Sequence, residues 1–260
     1  MTQTKNTPLH SDMVKKQFGS QAKAYVSSQV HSDGEDLSSL AKLLKEQTFT
    51  KLLDLGCGGG HVSYTAAPLV KEIIAYDMND AMLHCVSETA SQRGFHNIHT
   101  QQGIAESLPF EDDAFDIVAS RYSSHHWHDV PKALYEACRV LSSKGSLIIM
   151  DVVSAGHPLS DTHLQTVEML RDPSHVRDYS IGEWVSFINQ AEFQIHKINT
   201  FRLYLDYASW IARMNTPAVL SDAIRALQQT APIEVKQYFD IQPDGSFWVD
   251  CMILTAQKMA

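Results

Sequence analysis

A glycine-rich turn between a short apolar run and a predicted helix constrains the fold of this chain more than any other feature. The run over residues 52–55, Leu-Leu-Asp-Leu, is typical of a buried parallel strand. Glycines follow it at once, at Gly56, Gly58, Gly59 and Gly60. Because glycine has no Cβ, such a turn lets the backbone lie directly against a ligand. Strand, glycine turn and helix together predict the first βα unit of a nucleotide-binding α/β sheet.

The spacing of these glycines excludes two common nucleotide sites. The dinucleotide fingerprint Gly-x-Gly-x-x-Gly fails, because its third glycine falls on His61 or on Ser63. A P-loop needs a lysine followed by serine or threonine after the glycines, and neither follows here. The sequence has instead an acid, Asp54, two residues ahead of Gly-x-Gly-x-Gly. A tight turn with a purely structural role would have the same composition, so that alternative stays open.

Asp54 and the glycines that follow it resemble motif I of class I S-adenosylmethionine-dependent methyltransferases. The resemblance implies S-adenosylmethionine as cofactor and S-adenosylhomocysteine as product, with Asp54, Gly56 and Gly58 in the binding site. This cofactor has no pyrophosphate, so no helix N-terminus is needed to hold anionic oxygens. Its amino-acid end and its sulfonium cation favour a nearby carboxylate and open backbone groups.

Strands and helices alternate along the first two thirds of the chain. Strands are predicted at 52–55, 72–77, 97–102, 115–120 and 147–153, and two later ones at 193–205 and 247–256. Alternation predicts an α/β fold with a parallel sheet covered on both faces. The two late strands lack a short crossover helix, which suits an antiparallel sheet edge. The resemblance implies a Rossmann-like seven-stranded, mostly parallel sheet with an antiparallel last strand.

The helical segments suggest how a single domain over 1–260 is organised. Helices predicted at 13–30 and 35–46 place N-terminal lid helices in 1–46. The cofactor-binding core is expected at 47–153. Helical stretches interrupt the strand rhythm over 155–190, which predicts a helical cap insertion within a region, 154–260, that holds the substrate cap and the final strands.

Two further segments are predicted to contact the cofactor. Asp77, followed by Met78, ends the second strand, where an acid can accept hydrogen bonds from both ribose hydroxyls; a solvated acid is the alternative. Residues 103–110, Gly-Ile-Ala-Glu-Ser-Leu-Pro-Phe, match the family segment Gly-Asp-Ala-Glu-x-Leu-Pro-Phe that lies along the adenine. Ile104 replaces the family aspartate and removes one polar contact, while the Ala105 N–H remains. The loss is expected to cost about 0.5–1.5 kcal/mol, so binding should survive.

Candidate catalytic residues follow the fourth strand. Arg121 is predicted to pair with the methionine carboxylate of the cofactor or to bridge surface acids. His125 and His126 are predicted general bases, because histidine titrates near neutrality; capping or core roles are the alternative. His31 is a third candidate base. The resemblance of the segment from Phe18 to the family lid places Tyr25 at the cofactor.

Later motifs narrow the resemblance to one bacterial group of type 11 methyltransferases, near the quinone C-methyltransferases. They are Arg121–Trp127, Arg171–Arg177 and Arg213–Pro217. Polar residues were expected to border an anionic acceptor if the insertion caps the site, with surface salt bridges as the alternative; they are Asp151, His157, Arg171, His175, Arg177 and Arg202.

Composition limits the partners. The net charge of −9 disfavours a nucleic-acid surface and leaves RNA or protein methylation as a third, disfavoured hypothesis. Four cysteines without a Cys-x-x-Cys pair predict a reduced, cytoplasmic protein without structural zinc. No apolar run approaches the roughly 18 residues of a membrane span.

The reaction expected from this sequence is in-line transfer of a methyl group to a small molecule, anionic or quinone-like, without a metal ion. Such a reaction mainly requires orientation and exclusion of water. A homodimer is left open. A cofactor-binding accessory module without methyl transfer remains a second hypothesis, because Ile104 departs from the family pattern.

Overall fold

A computed structural model describes residues 9–19, 34–46 and 48–259 and contains one seven-stranded sheet in the order β3-β2-β1-β4-β5-β7-β6. The strands are β1 Lys51–Leu55, β2 Glu72–Asp77, β3 Ile98–Gln102, β4 Phe115–Arg121, β5 Leu141–Val153, β6 Phe193–Leu205 and β7 Phe247–Lys258. Strands β1 to β5 pair in parallel, and β7 is antiparallel to both of its neighbours. The predicted Rossmann-like sheet with an antiparallel last strand is therefore confirmed.

Ten α-helices are described in these ranges. They are α1 His10–Gly19, α2 Glu35–Glu46, α3 His61–Ala66, α4 Asp80–Gln92, α5 Val130–Val140, α6 Pro158–Arg171, α7 Ile181–Gln190, α8 Tyr207–Met214, α9 Ala218–Thr230 and α10 Ile233–Tyr238. A short 3-10 helix, Ser124–His126, follows β4. Among the described helices, none has the length and apolar character needed to cross a bilayer.

The parallel strands are buried on both faces because helices cover each side. Leu53 and Val118 face a core that includes residues of α5 and α7. Their neighbours Leu52 and Ile117 face the opposite core, which includes residues of α2 and α3. Continuous apolar strand sequences are the expected consequence of such two-sided burial.

Two predicted elements begin earlier than predicted. The helix predicted at 13–30 begins at His10 and is described as far as Gly19; the rest of the predicted helix, 20–30, lies outside the described residues. Strand β5 begins at Leu141 rather than at 147, since Leu141 already pairs with Phe115.

The predicted helical cap divides into two parts. Helix α7 packs on the sheet beside α5 through Trp184 and Ile188. Helix α6 joins α8, α9 and α10 in a separate cluster that includes Leu164 and Trp210. We use the word cap for α6, α8, α9 and α10 together with the loop 172–180. How the chain divides functionally, as the sequence predicted for 1–46, 47–153 and 154–260, stays a prediction.

Candidate active site

A cavity of about 540 Å³ opens at the carboxyl ends of β1 to β4. The chain leaves β1 and β4 in opposite directions across the sheet, and such a switch point is where open α/β sheets bind ligands. Nine predicted site residues line this cavity: Asp54, Gly56, Gly58, Asp77, Met78, Ile104, Ala105, Arg121 and His126. The residues predicted for the cofactor site therefore lie together around one cavity, and their contact with a cofactor stays a prediction. Tyr25 and His31 lie outside the described residues.

The glycine turn forms the floor of the cavity. The N–H groups of Gly56 and Cys57 both donate to the Tyr76 carbonyl, at 2.8 and 3.0 Å, which ties the turn to β2. Gly58 has φ +48°, a left-handed conformation that favours glycine. A Cβ built on Gly58 would meet no described atom within 4 Å, so the space above this residue is open to a ligand.

Asp77 connects the glycine turn to the end of β2. Its Oδ2 accepts from the Gly58 N–H and its Oδ1 from the Asn79 N–H, both at 2.9 Å. Burial raises the pKa of Asp77, and the two N–H donors lower it in part. Each carboxylate oxygen has a second lone pair, so the side chain can still accept from a ligand hydroxyl.

Asp54 has a different role from Asp77, although both carboxylates line the cavity. Its Oδ2 accepts from the Ser63 N–H at 3.0 Å and from the Ser63 hydroxyl at 2.6 Å. It thereby holds the end of β1 to the first turn of α3. Burial raises the pKa of Asp54 to about 7, although the Ser63 donors oppose the shift.

The raised pKa of Asp54 predicts a specific pH dependence of stability. The folded chain holds the Asp54 proton more tightly than the unfolded chain, so stability falls as pH rises from about 4 to about 7. We expect the free energy of unfolding, measured in urea, to fall between about pH 5 and about pH 8. The fall should be larger in the native chain than in Asp54→Asn. The excess should be on the order of 2 kcal/mol, since one pKa unit corresponds to about 1.4 kcal/mol. Parallel pH profiles of the two proteins would contradict this.

Ile104 forms an apolar part of the cavity wall where the family has an aspartate. Its side chain is 45% exposed and borders the cavity. The Tyr76 hydroxyl donates to the Ile104 carbonyl at 3.1 Å, which fixes the backbone beside Ala105. The segment thus keeps its backbone position without the polar side chain.

Arg121 pairs with a buried acid rather than with surface acids, while its predicted pairing with the cofactor carboxylate stays a prediction. Its Nε lies 2.5 Å from Asp36 Oδ2, and both side chains are buried, at 5% and 0% exposure. The acid is a buried residue in the first turn of α2, and the ion pair fixes that turn to the end of β4. Asp36 is not among the predicted site residues, because aspartate is usually exposed to solvent.

The two adjacent histidines after β4 point in different directions. His126 lines the cavity, and its Nδ1 lies 3.0 Å from the Ser174 carbonyl. His125 is not among the cavity-lining residues of the described chain; its Nδ1 lies 2.7 Å from Asp151 Oδ1. A catalytic role for His125 therefore has no geometric support, whereas His126 keeps its place in the site.

Electrostatics distinguish the two histidines further. Burial alone would lower the pKa of His125, but the charge of Asp151 and its hydrogen bond raise it to about 9. Burial, together with the positive charge of His125, lowers the pKa of His126 to about 4. His126 is therefore neutral at physiological pH. Because a carbonyl oxygen can only accept, its Nδ1 carries the proton and its Nε2 the lone pair.

Helix α1 closes one side of the cavity, as the predicted lid would. Leu9, His10, Ser11 and Val14 all line the cavity. His10 Nε2 lies 2.9 Å from the Ser174 carbonyl, and Gln17 donates to the Met214 carbonyl at 2.7 Å. On the other side, the Asn79 amide donates to the Lys15 carbonyl at 2.9 Å. No sequence pattern pointed to His10, which the fold brings to the site from a polar N-terminal segment.

The arginines expected around an anionic acceptor lie elsewhere. Arg171 pairs with Glu168, Arg177 with Asp161 and Glu183, and Arg202 with Asp250. Within the described ranges none of the three arginines lines the cavity. The salt-bridge alternative is therefore correct for these residues, although the Arg171 pair is largely buried rather than on the surface.

Comparison with known proteins agrees with this geometry. A family model described as "Methyltransferase domain" matches residues 53–149. YafE of Escherichia coli is 51% identical over 205 residues, which cover 79% of this chain and 99% of YafE. The uncharacterized methyltransferase YcgJ of Bacillus subtilis is 38% identical over 201 residues, covering 77% of this chain and 79% of YcgJ. The crystal structure of YcgJ aligns with a TM-score of 0.81 and 34% identity over 86% of this chain and 99% of that chain.

The chain belongs to the class I methyltransferases, in the type 11 group, as the motifs predicted. A more distant relative is the ubiquinone/menaquinone biosynthesis C-methyltransferase UbiE of Francisella tularensis, 32% identical over 122 residues. That match covers 42% of this chain and 49% of UbiE, so the chain spans about half of that protein.

Proposed function

We propose that this chain transfers a methyl group from S-adenosylmethionine to a small and largely apolar acceptor. The observation that carries the proposal is the open space above Gly58, at a turn whose N–H is held by Asp77. A carboxylate at the end of β2 and an open glycine turn suit a ligand with a ribose and an adenine. The apolar segment at Ile104 and Ala105 suits the base.

Each of these residues has a role in holding the cofactor. Gly56 and Gly58 keep the turn free of side chains, Asp77 accepts from the ribose, and the Ala105 N–H is available to the adenine. When bound, the cofactor supplies a methyl group activated by a positive sulfur. The protein then has to orient the acceptor and exclude water, and α1 covers the cavity where such exclusion is needed.

The remaining cavity wall favours an acceptor with an apolar, aromatic-sized body. Leu9, Val14, Tyr122 and Trp127 line it. The one arginine of this wall, Arg121, is already paired with a buried aspartate. For an acceptor that must lose a proton, the neutral imidazole of His126 is the candidate base at the cavity wall.

Calorimetry and a transfer assay test the proposal together. We expect one molecule of S-adenosylmethionine, and one of S-adenosylhomocysteine, to bind per chain. Label from the methyl group of the cofactor should pass to apolar phenols or hydroquinones in preference to their carboxylated counterparts. Absence of binding would contradict the whole proposal. Binding without transfer to any acceptor would favour an accessory module, and preference for carboxylated acceptors would contradict the acceptor class.

The role of Asp77 can be tested by removing its charge. We expect Asp77→Asn to weaken binding of S-adenosylmethionine about tenfold to a hundredfold, since hydrogen bonds to a charged group contribute about 1.5–3 kcal/mol. Calorimetric titration measures the effect. Asp116→Asn is the matched control, because Asp116 also accepts two backbone N–H groups, those of Thr50 and Lys51, far from the cavity. Equal affinities of the two variants would argue against contact between Asp77 and the cofactor.

A further inference from the structure

Behind the cavity wall, three ionisable side chains from separate parts of the chain meet at the boundary between cap and sheet. His125 comes from the 3-10 helix after β4, Asp151 from β5, and Asp178 from the cap loop. One potential ligand atom of each residue lies within 4.8 Å of the other two. Asp151 and Asp178 are both 2% exposed. The two carboxylates of the group are therefore buried, unlike those of an acidic patch on the surface.

One carboxylate oxygen of Asp178 has no hydrogen-bond partner among the described residues. Its Oδ2 is buried and accepts no hydrogen bond from any residue that the structure describes. Nε2 of His175 lies 3.8 Å from this oxygen, beyond hydrogen-bond distance, and contacts Gln165 Oε1 at 3.1 Å. A buried carboxylate without a partner costs several kcal/mol, so native proteins pair such groups, protonate them or bind a cation to them.

Further buried carboxylates near the group increase its shortage of positive charge. Two further carboxylates are buried nearby, Asp172 and Glu168. Asp172 accepts from Ser174, and Glu168 pairs with Arg171 at 3.2 Å. The arginine is thus engaged with Glu168, and Asp151 and Asp178 share His125 as their nearby cationic partner.

We propose that His125, Asp151 and Asp178 form a site for one divalent first-row transition-metal ion such as Zn²⁺. One imidazole and two carboxylates are a suitable ligand set for such an ion. Two ligand atoms of one zinc lie about 3.4 Å apart, so a small rotation of the side chains closes the site. The bound ion neutralises the two carboxylates and gives Asp178 Oδ2 the partner it lacks.

The surroundings of the ligands resemble the outer partners of a metal site. Asp151 Oδ2 accepts from the N–H of Ser124 at 3.0 Å and from the Ser124 hydroxyl, while its Oδ1 accepts from the Val152 N–H at 2.9 Å. Such bonds fix the direction of a ligating carboxylate. Since Asp178 belongs to the cap loop, Asp151 to β5 and His125 to the 3-10 helix after β4, the ion holds the cap against the sheet. The same ion helps to position His126, because the His126 ring packs against the His125 ring with their centroids 4.3 Å apart.

Metal analysis of the full chain tests the site without any methyl acceptor. Protein stripped with a chelator is equilibrated with Zn²⁺ or Co²⁺, and metal content, thermal midpoint and visible absorption are measured. We expect one ion per chain, a higher thermal midpoint, and a Co²⁺ spectrum without a thiolate charge-transfer band. Asp178→Asn should weaken binding at least about a hundredfold and abolish the rise in midpoint.

Asp172→Asn is the matched control, because Asp172 is an equally buried aspartate of the same loop outside the ligand set. It should bind the ion with native affinity. No stoichiometric binding, equal binding by Asp178→Asn, or a thiolate spectrum would each overturn the proposal. So would an Asp178→Asn protein that is as stable as the metal-loaded native chain, since the carboxylate would then simply hold a proton.

Discussion

Gly58→Val is expected to abolish binding of S-adenosylmethionine while the chain remains folded. Gly58 lines the cavity, and a Cβ at this position would meet no protein atom within 4 Å. The valine side chain therefore occupies the space that the ligand needs, without displacing its neighbours in the protein. We expect the affinity to fall about a hundredfold, because steric overlap of this kind costs up to about 3 kcal/mol. Calorimetry gives the affinity, and the thermal midpoint reports the fold.

The valine also introduces backbone strain, and Gly94→Val controls for it. Gly94 has φ +73° and no described atom within 4 Å of its Cβ, so the same substitution costs similar strain, about 1–2 kcal/mol. Gly94 does not belong to the described cavity lining. Gly94→Val should therefore lose stability and keep native affinity. If Gly58→Val binds the cofactor as tightly as Gly94→Val does, the glycine turn is not the binding site.

Asp36→Ala is expected to produce the largest loss of stability among the substitutions considered. Asp36 is fully buried, and its carboxylate neutralises the guanidinium of Arg121, which is 5% exposed on its side chain. Removal of one partner of a buried pair leaves a charge without compensation and typically costs about 3–5 kcal/mol. The Leu37 N–H, which donates to Asp36 Oδ1 at 2.8 Å, also loses its acceptor. Unfolding in urea measures the change in free energy.

A solvated ion pair provides the comparison for this result. Lys51 and Glu72 approach to 2.8 Å, but their side chains are 34% and 41% exposed. Because water screens such pairs, Glu72→Ala should cost no more than about 1 kcal/mol. A similarly small cost for Asp36→Ala would mean that the Arg121 charge is not held by Asp36, and would return Arg121 to its predicted role at the cofactor.

The sheet could be predicted, and so could the grouping of the proposed cofactor-binding residues around one cavity. Each of these predictions rests on a pattern within one short segment of the sequence. The apolar run before Gly56, the acid at position 77 and the segment around Ile104 each belong to one strand and the loop after it. In a parallel sheet the carboxyl ends of the strands meet at one edge, so correct strands bring these loops together. No contact between distant helices had to be known.

The ion pair of Arg121 and the orientation of the two histidines could not be predicted in this way. Arg121 and Asp36 are 85 positions apart, and an acid in a first helical turn has the same pattern whether it is buried or solvated. His125 and His126 are adjacent in a 3-10 helix, where neighbours point about 120° apart. The sequence cannot say which of them faces the cavity. The proposed metal site could not be predicted for the same reason, since a 3-10 helix, a strand and a loop far apart in the sequence contribute one residue each.

A crystal structure of the chain with S-adenosylhomocysteine tests the central claim most directly. We expect density for the adenosyl group over Gly58, with its ribose hydroxyls within hydrogen-bond distance of Asp77 and its adenine beside Ile104 and Ala105. The claim is contradicted if crystals grown at saturating ligand concentration show the nucleoside bound elsewhere, or show the space above Gly58 filled by protein side chains.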